Sequence, residues 1–78
     1  MTTFDKRLKV LRVELDKKQV EMASEIGVSS LSLCLYETGR CEPNMSFLNK
    51  LNLLYNVNLN WLITGEGNMF DFVVAKKK

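Results

Sequence analysis

Apolar residues recur along this chain at helical spacing, in short bursts separated by polar turns. Leu8, Leu11 and Leu15 repeat at steps of three and four, and Phe4 extends the stripe. The spacing predicts a first helix over residues 4–16, capped by Thr2 or Thr3. Asp16, Lys17 and Lys18 make a turn, and Gln19 opens a second helix whose Val20, Ala23 and Ile26 share one face. After Gly27, Leu33 and Tyr36 carry the apolar face of a third helix, residues 30–38. Phe47, Leu48, Leu51 and either Leu54 or Tyr55 line a fourth over residues 46–55, capped by Asn44 or Ser46. A fifth covers residues 59–64, with Trp61 as a core anchor and Leu62 packing beside it. Gly65, Glu66, Gly67 and Asn68 then break the pattern. The alternating run MFDFVV that follows has three open readings: it folds back on the core, pairs with its twin in a dimer, or leads on into a longer chain.

The stretch from Gln19 to Pro43 organises the rest. Two short helices meet at Gly27, and neither is long enough to bury much alone. Ser29 can accept from an unpaired N–H of the helix it precedes. Gly39 can take the left-handed conformation that ends a helix, and Pro43 blocks a restart. That is the layout of a helix-turn-helix, here spanning residues 19–38.

The run GVSSLSLCLYETGRCEP resembles the helix-turn-helix of the Cro/repressor class, the phage-repressor-like (XRE) regulators. Gly27, Val28, Ser29, Leu33, Tyr36, Glu37, Gly39 and Pro43 fall in that family's register. Leu11, Arg12 and Gln19 match upstream, and LNWLITGEG downstream looks like its closing helix, so the likeness runs over about residues 4–67. It implies an all-α, five-helix, lambda-repressor-like DNA-binding domain over residues 1–67, with residues 68–78 as a short C-terminal extension. It also implies roles for single residues. Arg12 would pair with Glu37, while Gln19, Ser29, Arg40 and Asn44 would meet DNA phosphates. Ser30, Leu31, Cys34 and Leu35 would face the bases. Leu59, Ile63, Met69, Phe70 and Phe72 would make the dimer contact.

Composition narrows the alternatives. Seventy-eight residues, 46% hydrophobic and 26% charged, suit one small globular domain. No apolar run approaches the ~20 residues of a membrane span, and the N-terminus has no signal-peptide core, so a cytoplasmic protein is expected. Cys34 and Cys41 are then expected as reduced thiols, and the lack of histidine leaves a zinc site short of ligands. No cofactor is called for. No nucleophile lies at sensible spacing from a base, so an enzyme is not expected.

Net charge is only +2, and Lys76, Lys77 and Lys78 account for more than that; without them eight positive residues face nine negative ones. Six of the eleven basic residues (Lys6, Arg7, Lys9, Arg12, Lys17 and Lys18) lie in the first eighteen, either a solvated face or an attraction for phosphates. The four base-facing positions carry two leucines, a thiol and one hydroxyl. Bidentate hydrogen-bonding to bases needs amides or guanidinium groups, which are missing there. Two functions remain open: a homodimeric transcriptional regulator on double-stranded DNA, or a module of the same fold that docks a protein partner on the apolar face of helix three.

Overall fold

The computed structural model describes residues 3–71, so Phe72 and the terminal lysines lie outside the described residues. Five α-helices follow in order: α1 (Phe4–Glu14), α2 (Gln19–Ile26), α3 (Ser30–Glu37), α4 (Met45–Tyr55) and α5 (Leu59–Thr64). The fold is all-helical, as the apolar spacing and the resemblance implied. Its core is drawn from every helix: Leu8 and Leu11, then Met22, Ala23 and Ile26, then Leu33, Phe47, Leu51 and Leu62, with Val57 from the last interhelical turn. Tyr36 closes against Phe47 edge-to-face, ring centroids 4.8 Å apart. Trp61 packs half-buried against the same core.

Helix α1 stops two residues before the apolar spacing suggested. Asp16 takes a left-handed conformation, φ +58°. The chain then closes back on the helix, with Lys17 N–H donating to Arg12 O (3.2 Å) and Asp16 N–H to Val13 O (2.9 Å). This is the glycine-type stop performed by an aspartate, whose short side chain tolerates the region. At the other end Thr3 is the N-cap by backbone, although its side chain makes no capping bond.

One expected core position is exchanged, and one alternative is decided. Val20 is 67% exposed, and Met22 is buried instead. At about 100° per residue Met22, Ala23 and Ile26 span one arc, while Val20 falls at its edge, about 120° from Ile26. On α4, Leu54 is exposed and Tyr55 is the half-buried residue that packs on the core.

Arg7, expected within a basic surface cluster, is buried. Its Nε donates to Leu62 O and its Nη2 to Ile63 O, both at 2.8 Å. The guanidinium thus caps the last carbonyls of α5, where a cation also opposes the negative end of the helix. A six-residue helix is marginal by itself, and this bond ties it to α1.

Of the three readings of the C-terminal run, residues 69–71 take the first. Val57 and Phe70 form an isolated antiparallel bridge. Asn58 N–H donates to Met69 O (2.9 Å) and Asp71 N–H to Asn56 O (2.8 Å). Asn52 supplies the fastening: its Nδ2 donates to Val57 O and to Asp71 Oδ2, both at 3.0 Å. Met69 and Phe70 consequently pack against their own core.

A polar cluster joins α2 to α4. Lys17 Nζ donates to Glu25 Oε2 at 2.9 Å, and the Tyr55 hydroxyl donates to Glu25 Oε1. Burial, then the hydrogen bond to Glu25, push the Tyr55 phenol well above its ordinary range. The unfolded chain therefore ionises first, near pH 10, and stability is lost as pH rises beyond that. Tyr55→Phe is expected to flatten this alkaline slope, by at most about 1 kcal/mol at pH 11 once solvent screening is allowed for. Urea unfolding of both proteins at pH 8 and pH 11 measures it.

Candidate nucleic-acid interface

The turn between α2 and α3 is built from local chemistry. Gly27 adopts φ +93°, and Val28 N–H then donates back to Ala23 O at 3.0 Å. Val28 packs half-buried against the core. Ser29 caps α3, its hydroxyl oxygen accepting from Ser32 N–H at 3.0 Å while its own hydroxyl donates to Ser32 Oγ. From α4, Lys50 Nζ donates to Ile26 O at 3.0 Å and so holds the end of α2 beside the turn. Nothing in the sequence marked Lys50, because its acceptor lies 24 residues away.

One buried carboxylate sets the angles of three helices. Glu37, at the end of α3, accepts from Arg12 on α1 through two bonds, Nε to Oε2 at 2.7 Å and Nη2 to Oε1 at 3.2 Å. Arg12 also donates to Lys17 O at 2.9 Å. Gln19, the first residue of α2, donates its Nε2 to Glu37 Oε1 at 3.0 Å. The Glu37 side chain is 2% exposed and that of Arg12 13%. Gln19 was expected as a phosphate contact alone. Here its carboxamide is oriented by Glu37, with a second N–H and the backbone N–H at the helix start left over.

Of the four positions expected on the outer face of α3, two are open and two are half-buried. Ser30 is exposed and Leu31 is 67% exposed. Cys34 is half-buried, with a free thiol, and Cys41 is an exposed free thiol. Leu35, expected beside Leu31 on an open stripe, is half-buried. The chain past α3 turns back there: Gly39 takes φ +78°, and Arg40 and Cys41 N–H both donate to Leu35 O, at 3.0 and 3.3 Å. A Cβ on Gly39 would also press Asp5 Oδ2 at 3.3 Å.

Most of the hydroxyl groups on this helix are already engaged. Thr38 Oγ1 donates back to Cys34 O at 3.0 Å, and Ser29 and Ser32 satisfy each other. Ser30 and Leu31 are left as the outward side chains of the first turn. Arg40 follows the helix, exposed and with no side-chain partner among the described residues. Asn44 serves as N-cap of α4, its Oδ1 accepting from Phe47 N–H at 2.9 Å, with Asn44 itself exposed. The positions expected at a dimer surface divide. Ile63 is 52% exposed, whereas Leu59, Met69 and Phe70 are half-buried against their own core.

No group of three or more metal-ligating side chains occurs among the described residues, and no described helix is long and apolar enough to cross a membrane.

Known proteins give the same picture. A family model described as a helix-turn-helix domain matches residues 6–68. An SPbeta prophage-derived uncharacterized HTH-type transcriptional regulator, YonR of Bacillus subtilis, is 32% identical over 68 residues, covering 87% of this chain and 63% of its own. The cryptic phage CTXphi transcriptional repressor RstR of Vibrio cholerae is 32% identical over 74 residues, 95% of this chain and 67% of its own. The chain thus spans about two thirds of the length of these relatives. Among solved structures, the P22 c2 repressor protein in complex with synthetic operator 9T shares the fold, with a TM-score of 0.77 at 23% identity, over 85% of this chain and all of that one. With the turn, the caps and the Arg12–Glu37 tie in place, the chain belongs to the helix-turn-helix domain family, that of the HTH-type transcriptional regulators.

Proposed function

We infer that this chain is a repressor-like regulator that binds operator DNA as a dimer, with α3 in the major groove. The observation that carries the reading is the first turn of α3. Its outward side chains, Ser30 and Leu31, are open, while the helix behind them is locked to α1 and α2 through Glu37. A rigid helix with an open leading face can enter a groove about 12 Å wide without reordering. Arg40, the oriented Gln19 amide and the cap at Asn44 lie on the flanking elements. A guanidinium and helix N-termini suit phosphate oxygens. The P22 c2 repressor, alike in fold, is known in complex with an operator, and RstR is named a transcriptional repressor.

The dimer reading rests on Ile63. It stays exposed, and with Phe4, Tyr36, Pro43 and Leu48 it lines a groove among α1, α3, α4 and α5. Two copies joined there would present their α3 helices about 34 Å apart, one DNA turn, to a near-palindromic site.

Titration of pooled random-sequence duplex across a salt series tests the function. Affinity is expected to fall steeply with salt, and Arg40→Ala to reduce the logarithmic slope by about 1. An absence of binding at about 50 mM salt would sink the DNA reading. It would leave Leu31 as the docking point for a protein partner.

A further inference from the structure

Residues 72–78 read FVVAKKK: an aromatic, two valines and an alanine, followed by three lysines and no acidic group. Bulky apolar side chains in a row gain by leaving water, and adjacent ammonium groups gain from nearby anions. An apolar trough with acidic edges would satisfy both halves of this segment. The groove among α1, α3, α4 and α5 has that character. Its volume is about 460 Å³, Leu48 and the 52% exposed Ile63 are among its apolar walls, and its charged lining residues, Asp5 and Glu42, are both acidic. Neither carboxylate forms a salt bridge among the described residues.

Position favours the chain's own tail as the occupant. Asp71 is held at the end of α4, its Oδ2 accepting from Asn52 Nδ2 at 3.0 Å and its carbonyl from Asn56 Nδ2 at 2.8 Å. Leu48, on the groove wall, precedes Asn52 by four residues, about 6 Å along the same face of the helix. Seven extended residues span about 24 Å. The segment therefore leaves its last fixed point about one helical turn from the groove, with length to spare.

We propose that residues 72–78 dock in this groove of their own chain, the valines against Leu48 and Ile63 and the lysines beside Asp5 and Glu42, and so keep a second copy off it. The docking stands on the groove and on the chemistry of the tail. Its effect on pairing rests on the dimer reading above, which uses the same groove: tail and second copy compete for one apolar surface.

Methyl NOE spectroscopy of the full chain, labelled at valine, leucine and isoleucine, tests the contact. Cross-peaks are expected from Val73 or Val74 to Leu48 or Ile63. An equal mixture of labelled and unlabelled chains, filtered for contacts between molecules, is expected to show none of them. Sedimentation equilibrium then tests the competition. A chain shortened after Asp71, its fold checked by a melting curve, is expected to pair at least about ten-fold more tightly than the full chain. Asp5→Asn with Glu42→Gln keeps every apolar contact of the tail, and is expected to tighten pairing about three-fold at low salt and not at high salt.

The outcomes separate the inference from the reading beneath it. Absence of the cross-peaks in the full chain overturns the docking and leaves the groove open to a second copy. Cross-peaks that appear in the filtered mixture overturn docking within one chain, because the tail then crosses to its partner. Cross-peaks within one chain, with pairing unchanged on shortening, overturn the competition and move the dimer contact away from this groove.

Discussion

Arg12→Met is expected to cost about 3–5 kcal/mol of folding stability, because it leaves the Glu37 carboxylate buried without its cation. That carboxylate is 2% exposed, and Gln19 alone would remain to bond it, through a single neutral donor at 3.0 Å. A domain of this size has roughly 5–15 kcal/mol in total, so the loss is a large fraction. Glu37→Leu is expected to cost less, since Arg12 is 13% exposed and keeps its bond to Lys17 O. A double variant, Arg12→Met with Glu37→Leu, should recover most of the loss, because a buried pair replaced by packed apolar residues is often neutral. Urea unfolding followed by the half-buried Trp61 measures all three. A fully additive result would show that the two side chains do not act as a pair.

Leu31→Glu is expected to abolish operator binding, by at least about 100-fold, with little change in stability. Leu31 is 67% exposed, so the core is undisturbed. A carboxylate there would enter a groove lined by phosphates, and like charges brought together cost several kcal/mol. Melting and duplex titration of the same preparation separate the two quantities. Unchanged DNA affinity would move α3 out of the groove.

Much of the fold could be read in the residues themselves. The helix starts and stops are local: Ser29 and Asn44 accept from N–H groups three residues on, while Gly27, Gly39 and Asn56 take the left-handed turn. Such bonds involve neighbours in the chain, so residue type and spacing announce them. Asp16 was harder, because an aspartate seldom takes the position that glycine prefers. The candidate site was legible to a similar depth. Helical register named the outward side of α3, but not which part of it stays open: Leu35 is half-buried, and its carbonyl accepts from the returning chain at Arg40 and Cys41.

The sequence by itself determined five helices, several of their caps, a helix-turn-helix over residues 19–38, and an outward face lacking the usual base-reading groups. The tertiary structure alone decided which polar side chains were free to meet a partner. Arg7 left the surface to cap α5, 55 residues away. Gln19 turned to Glu37, Lys50 to Ile26, and Asn52 to Asp71. A period of 3.6 residues tells which face a side chain shares, and nothing about what packs across from it. A buried polar group must find a partner wherever the fold places one, and those partners are set by packing between distant segments.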